Sequence, residues 1–323
     1  MKGLTLLILI VAFLTSCNQK HPFEGVWITV SHVSENGHTT SAQTQNIFDF
    51  EHDSLKIVQL GNHASGNLRE ITMNAYKYEF INDRFVSYWE KDTIYFSYQV
   101  EDSLILNFNT KEERTNQSVV LKRIDFTKKL KQPLKGSYLL KWPENSTSLT
   151  FINDSIAVGF DKNHGDKWKI FNYKGAHLFL YLDGITPISS IWNESDTILN
   201  LTYHLKPNRK VTLKKANSTI SPEDLYGEWT RIDKSLNLPP PSPEIIFELK
   251  MTFDPDTLTT HYYNEDKKEA WQLTEDGKNI YFPDRVLKNG GVWNMLNFNA
   301  GDDTIQIKQG YENTRTWFRS PKI

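Results

Sequence analysis

Seven times along the chain an Asp is followed by Ser or Thr and then by Leu or Ile. The copies are Asp53-Ser54-Leu55, Asp92-Thr93-Ile94, Asp102-Ser103-Leu104, Asp154-Ser155-Ile156, Asp196-Thr197-Ile198, Asp256-Thr257-Leu258 and Asp303-Thr304-Ile305. Independent residue frequencies would give roughly one copy. The residues that follow alternate. Leu104, Leu106 and Phe108 alternate with Ile105 and Asn107, Ile94, Phe96 and Tyr98 with Tyr95, Ser97 and Gln99, and Ile198 leads into Leu199, Leu201 and Tyr203 at period two. Strict alternation marks a half-buried strand of an antiparallel sheet. A short Asp carboxylate bonds nearby backbone amides in a turn, and Ser or Thr does so more weakly. The triplet therefore predicts a turn whose Leu or Ile begins the buried face of the next strand.

Other turn signals recur between these points, at Asn82-Asp83, Asp183-Gly184, Asp276-Gly277 and Asn289-Gly290-Gly291. Many short strands with regular turns predict an all-β sandwich or barrel, and ring closure would remove exposed sheet edges. The pattern also repeats on a longer scale. "FEGVW" opens at Phe23, "LKGSY" at Leu134 and "LYGEW" at Leu225, each reading apolar–x–Gly–x–aromatic. Each copy ends in a short strand: Val119–Arg123, Val211–Lys215 and Thr316–Arg319. The expected organisation is a signal peptide over residues 1–16, a tether over 17–22, and three tandem antiparallel β modules over 23–126, 132–217 and 221–323. Each module would hold about eight short strands.

Composition agrees with cores built from strands. Apolar residues make up 38 % of the chain, aromatic residues 13 % and charged residues 24 %, so disorder is excluded and aromatic-rich strands are expected. The net charge of −2 is spread along the chain without a basic stripe, which excludes nucleic acid as a partner. At the N-terminus, Lys2 precedes the apolar run Leu4–Leu14, which is too short to span a bilayer and reads as an export signal. The run ends in Leu14-Thr15-Ser16-Cys17, and Cys17 is the only cysteine, so internal disulfides play no part in the build.

Leu14-Thr15-Ser16-Cys17 resembles a bacterial lipobox, in which the Cys is cut free and lipidated. That resemblance implies palmitate-type acyl chains on Cys17, an attachment strong enough to hold the body on a membrane. It places the chain in the cell envelope as an outer-membrane lipoprotein, on either the periplasmic or the surface side. The acidic run that follows the Cys in surface lipoproteins of Bacteroidetes is absent from Asn18-Gln19-Lys20-His21. The seven triplets resemble the O-glycosylation sequon of exported Bacteroidetes proteins, which would put glycans on Ser54, Thr93, Ser103, Ser155, Thr197, Thr257 and Thr304. The Gly–x–Trp openings resemble the motif that starts lipocalins. There the Trp plugs the closed end of an eight-stranded barrel and a basic residue of the last strand covers it. By that resemblance Trp27 pairs with Arg123 and Trp229 with Arg319. The middle copy departs from the pattern, with Tyr138 in the Trp position and Lys214 or Lys215 as the available cation.

Catalytic constellations are missing. Nine scattered His form neither His-x-x-x-His nor His-Glu-x-x-His, and neither Gly-x-Ser-x-Gly nor a phosphate loop occurs. The segment Asp161–Asp166 has its Gly one place early for a calcium loop and lacks the distant Glu. The acid pairs Glu101-Asp102 and Asp302-Asp303 fall in predicted turns, where they read as solvated charges and not as glycosidase carboxylates. No metal, cofactor or enzyme activity is expected. An eight-stranded barrel either fills with side chains or holds one small ligand. Trp168, Phe171, Tyr173, Phe179 and Tyr181 of the second copy could do either. The sequence thus points to a membrane-anchored lipoprotein binding a small apolar or amphipathic ligand, or a glycan, in a barrel cup. The alternative is a non-enzymatic spacer or interaction subunit that meets another envelope protein through filled barrels.

Overall fold

A computed structural model describes residues 23–34, 38–41, 45–60, 72–81, 84–88, 93–109, 117–141, 146–159, 165–181, 189–204, 210–234, 246–262, 265–288, 290–309 and 312–321. The protein is all-β, built from three tandem antiparallel barrels, two closed and one nearly so. The described residues contain one helical turn, the 3-10 segment Pro222–Leu225 at the entrance to the third barrel.

In the first barrel the strands pair in chain order from Gly25–Val33 to Gln117–Arg123, and the last strand pairs back onto the first with Trp27 opposite Arg123. The short strand Thr39–Ser41 adds to the outer part of Gly25–Val33. Inward residues alternate along the strands, as Phe48 and Phe50 do against Ile57 and Leu55. The interior is occupied by rings. Phe23 lies 5.4 Å from Phe50 and 6.3 Å from both Tyr78 and Phe85, edge-on in each case, and Phe85 lies 5.1 Å from Phe96. Edge-to-face contacts at these spacings add to the burial of large apolar surfaces.

The second barrel is a closed ring of eight strands, from Gly136–Lys141 to Lys210–Lys215, with Tyr138 opposite Lys215. The third is a nine-stranded sheet in which Gly227–Lys234 pairs with both Ile246–Phe253 and Arg315–Arg319. Its two edge strands, Asp266–Ala270 and Gln272–Leu273, are separated by Trp271 alone, so the chain itself bridges the gap left in the hydrogen-bonded ring.

The chain divides into two compact units, residues 1–127 with 203–208, and residues 128–202 with 209–323. The second unit holds the second and third barrels, which share an apolar cluster of Val158, Tyr281, Val286 and Val292. A polar lock accompanies it. Glu275 receives the Lys215 ammonium at 2.9 Å and the Ser137 N–H at 3.1 Å, and the Asp276 N–H donates to Ser137 Oγ at 3.2 Å.

Candidate functional site

The three Gly–x–aromatic openings build one device with three variations. Gly25, Gly136 and Gly227 all take positive φ, at 127°, 80° and 116°, a backbone that side chains rarely adopt. That bend turns the aromatic residue two positions on into the barrel end. The Trp27 indole N–H donates to the Phe23 carbonyl at 2.7 Å and that of Trp229 to the Leu225 carbonyl at 2.8 Å, so each buried donor is satisfied four residues back. A cation from the last strand then covers the ring. The Arg123 guanidinium carbon is 4.7 Å from the centre of Trp27, that of Arg319 is 4.4 Å from Trp229, and Lys215 Nζ is 5.2 Å from Tyr138.

Each cation also donates to the carbonyl of the residue before the Gly: Arg123 to Glu24 at 3.3 Å, Lys215 to Lys135 at 3.0 Å and Arg319 to Tyr226 at 3.0 Å. Arg319 adds a second bond to the Asp224 carbonyl at 2.6 Å, a fork that a lysine cannot make. Of the two lysines offered by the sequence in the second barrel, Lys215 takes the position. A Cβ on Gly136 would run into Lys215 and Glu275. Burial works to raise the Glu275 carboxyl. The Lys215 hydrogen bond, the Ser137 N–H and the Lys215 and Lys135 charges outweigh it and carry the group below its ordinary value. Tyr138 is pushed up by burial and then by the Glu275 charge.

In every triplet the Ser or Thr stands at the entry to a strand, Asp92 lying outside the described residues: Ser54, Thr93, Thr257 and Thr304 are first residues of strands, and Ser103, Ser155 and Thr197 immediately precede one. Thr93, Ser155, Thr197 and Thr304 are exposed, and Ser54, Ser103 and Thr257 are half-buried. Leu55, Leu104, Leu258 and Ile305 are buried, while Ile94, Ile156 and Ile198 are half-buried. The turn chemistry differs from the expected carboxylate cap. Asn153 Oδ1, and not Asp154, accepts the N–H groups of Ser155 and Ile156, at 3.0 and 2.9 Å. Elsewhere a backbone carbonyl of the triplet is used: Asp53 accepts from the Tyr78 N–H, Ser155 from Trp168, Thr197 from Lys215 and Asp303 from Arg319. The Asp side chains at 53, 102, 154, 196, 256 and 303 belong to exposed residues. A turn that is already satisfied through its backbone leaves them to water.

A cavity of about 320 Å³ opens in the third barrel, beyond the Trp229 plug. Its apolar wall is Leu249, Met251, Trp293 and Trp317. Its polar wall is Arg231, Lys267, Glu269 and Arg285, with Thr260, Tyr262, Gln309 and Glu312 beside them. Arg231 comes from the same strand as Trp229, two residues on, and so faces the interior. Its guanidinium carbon lies 4.8 Å from the Trp317 ring. Glu269 forms ion pairs with Arg285, whose Nε is at 3.1 Å, and with Lys267, whose Nζ is at 3.2 Å. Lys267 and Glu269 lie on the edge strand Asp266–Ala270, where the ring of hydrogen bonds is interrupted, and that seam leaves space a closed eight-stranded ring fills with side chains. This is a pocket with an apolar depth and a cationic side, able to hold a small molecule.

In the second barrel Trp168 and Phe179 pack on Phe151 at 4.9 and 6.0 Å and are buried, as is Tyr173, while Phe171 is only half-buried. Of the acid pairs, Glu101 and Asp102 are exposed and Asp302 accepts the Asn299 N–H at 3.1 Å within a turn. Cys17, residues 161–164 of the rejected calcium loop and the Tyr181 side chain lie outside the described residues. Among the described residues, no group of three or more His, Cys, Asp or Glu is placed to hold a metal ion, and no helix is long and apolar enough to cross a membrane. The cup residues Arg231, Lys267, Glu269 and Arg285 were not singled out from the sequence. Arg231 could have been, by its period-two relation to Trp229.

No family model and no curated protein matches the chain. Among solved structures, it aligns with the isotype 1 transferrin binding protein B of serogroup B Neisseria meningitidis at 9 % identity and a TM-score of 0.18, covering 88 % of this chain and 67 % of that one. Intact Ap-TbpB, with its N and C lobes, aligns at 6 % identity and a TM-score of 0.19, over 91 % and 77 %. A DnaN sliding clamp of Pseudomonas aeruginosa aligns at 7 % identity and a TM-score of 0.16, over 95 % and 93 %. Likeness at this level assigns no ligand, partner or activity to this chain.

Proposed function

We propose that the protein is a lipid-anchored, non-catalytic binding protein of the bacterial cell envelope, with a small amphipathic molecule or a glycan held in the cup of its third barrel. The observation that carries this reading is the cavity of about 320 Å³ walled by Trp293 and Trp317 on one side and by Arg231, Lys267 and Arg285 on the other. A concave pocket that joins an apolar wall to convergent polar groups is the kind of place where proteins hold small ligands. The lipobox-like Cys17 supports the anchor. The glycan sites Ser54, Thr93, Ser103, Ser155, Thr197, Thr257 and Thr304 belong to the same proposal, supported by their places at strand entries and by the exposure of four of them. Outer-membrane placement is proposed on the lipobox alone.

The test is a native mass spectrum of the mature protein purified from its exporting host, before and after denaturation. Mass that leaves on denaturation identifies a bound ligand, and covalent extra mass mapped to the seven hydroxyls identifies glycans. A spectrum with neither removes both readings. The Cys17→Ala variant is expected to fold and to leave the membrane fraction, and its continued sedimentation with membranes in high salt would remove the anchor. The ring-filled first barrel favours a second role for that module, as a spacer or docking body for an envelope partner, and a copurifying protein lost on deleting residues 23–126 would establish it.

A further inference from the structure

Resting on the proposed cup, we infer that its ligand carries an oxyanion head group, a carboxylate or a phosphate, on a short apolar body. Three cations, Arg231, Lys267 and Arg285, line the cavity against two carboxylates, Glu269 and Glu312. Glu269 is shared between Lys267 and Arg285, and both Lys267 and Glu312 are exposed at the rim. A cation pair that shares one carboxylate keeps donor capacity for a second oxyanion, since an ammonium has three donors and a guanidinium five.

An independent observation points the same way. Trp317 is buried to 3 % exposure and lines the cavity, yet its indole N–H has no hydrogen-bond partner among the described residues. The N–H groups of Trp27, Trp229 and Trp271 are satisfied by carbonyls, and that of Trp168 in the second barrel is the other buried indole N–H among the described residues without a partner. Buried donors are normally paired, and an unpaired one asks for an acceptor. An oxyanion at the N–H edge of Trp317 that also meets the guanidinium of Arg231, which lies over the Trp317 ring at 4.8 Å, would supply it. A charge-assisted, forked contact of this type is the strong form of the hydrogen bond. Beside Trp317, Leu249, Met251 and Trp293 offer no polar partner except the Trp293 N–H, which suits a hydrocarbon or flat apolar body. At about 320 Å³ the cavity is at the small end of ligand pockets, too small for a diacyl lipid.

The experiment is calorimetric and fluorescence titration of the full chain carrying Cys17→Ala with octanoate, octyl phosphate and octanol. Octanoate or octyl phosphate should bind about tenfold more tightly than octanol, and the tighter of the two names the head group. Added salt should weaken the anions and leave octanol unchanged. The double variant Arg231→Gln, Arg285→Gln should bring the anions to the octanol level. Trp317→Phe, which keeps the ring and removes the N–H, should weaken the anions about threefold or more and spare octanol. Equal affinity for all three probes overturns the head-group inference and leaves the cup standing. Binding of none of them overturns the cup itself. Anion binding that survives both the salt and the Trp317→Phe change lies elsewhere and also overturns the inference, even if the double arginine variant fails to fold.

Discussion

At Gly25 and Gly227 the obstacle to a side chain is conformation and not space. A Cβ would have nothing within 4 Å at either position, but φ is 127° and 116°. Gly25→Ala and Gly227→Ala are therefore expected to cost about 1–3 kcal/mol each by urea denaturation, through backbone strain alone. Unchanged midpoints would show that the bend relaxes freely. A second residue-scale effect is titration. Burial, followed by the charge of Lys122, pushes the His204 imidazole down to about 4 from an ordinary 6.5. The folded chain then binds fewer protons than the unfolded chain between those values. The contribution of neutral His204 is complete above about pH 6.5 and is lost as pH falls toward 4, by roughly 2–4 kcal/mol. His204→Gln should flatten that part of the stability profile. A wild-type profile already flat across the window would contradict it.

The triplets work at the scale of the strand. In Asp303-Thr304-Ile305 the carbonyl of Asp303 accepts the Arg319 N–H at 2.8 Å, the residue is exposed, and Ile305 is fully buried. Asp303→Asn keeps the carbonyl and should change stability by less than about 0.5 kcal/mol. Ile305→Ala empties a core position and should cost about 2–5 kcal/mol. Comparable losses for the two would mean that the carboxylate has a structural role which the hydrogen bonds do not reveal. The same asymmetry explains why the triplet is easy to see in the sequence and hard to interpret from it. Its Leu or Ile is constrained by packing, whereas its Asp is constrained only by the need for a polar turn residue.

Across the whole molecule, the second and third barrels behave as one body because they share surface as well as chain. Val286 packs with Val158, Tyr281 and Val292, and its carbonyl accepts the Gly165 N–H from the second barrel. A Cβ on Gly165 would come within 2.7 Å of the Val286 side chain and carbonyl, so the approach depends on glycine there. Val286→Asp places a charge in that cluster and should split the melting of the two barrels into separate transitions, read by calorimetry. A single unbroken transition would place the coupling in the Lys215–Glu275 and Ser137–Asp276 contacts.

What the sequence by itself determined was the class of structure and the positions of its ends. Period-two alternation restricts each run to a two-faced strand, and the Gly–x–aromatic openings with basic closing strands mark where Trp27 meets Arg123, Tyr138 meets Lys215 and Trp229 meets Arg319. Those signals are local, so they survive in one dimension. The choice of Lys215 over Lys214 and the position of Arg231 follow from strand parity once one partner is known. The cup needed the tertiary structure. Whether a barrel is filled depends on side-chain volumes around a ring and on whether the ring closes, and the third one is interrupted at Trp271. Arg285 enters from a turn after Phe282, and Trp317 is left with an unpaired N–H only because of what surrounds it. Neither follows from periodicity, because both depend on which strands end up as neighbours in space.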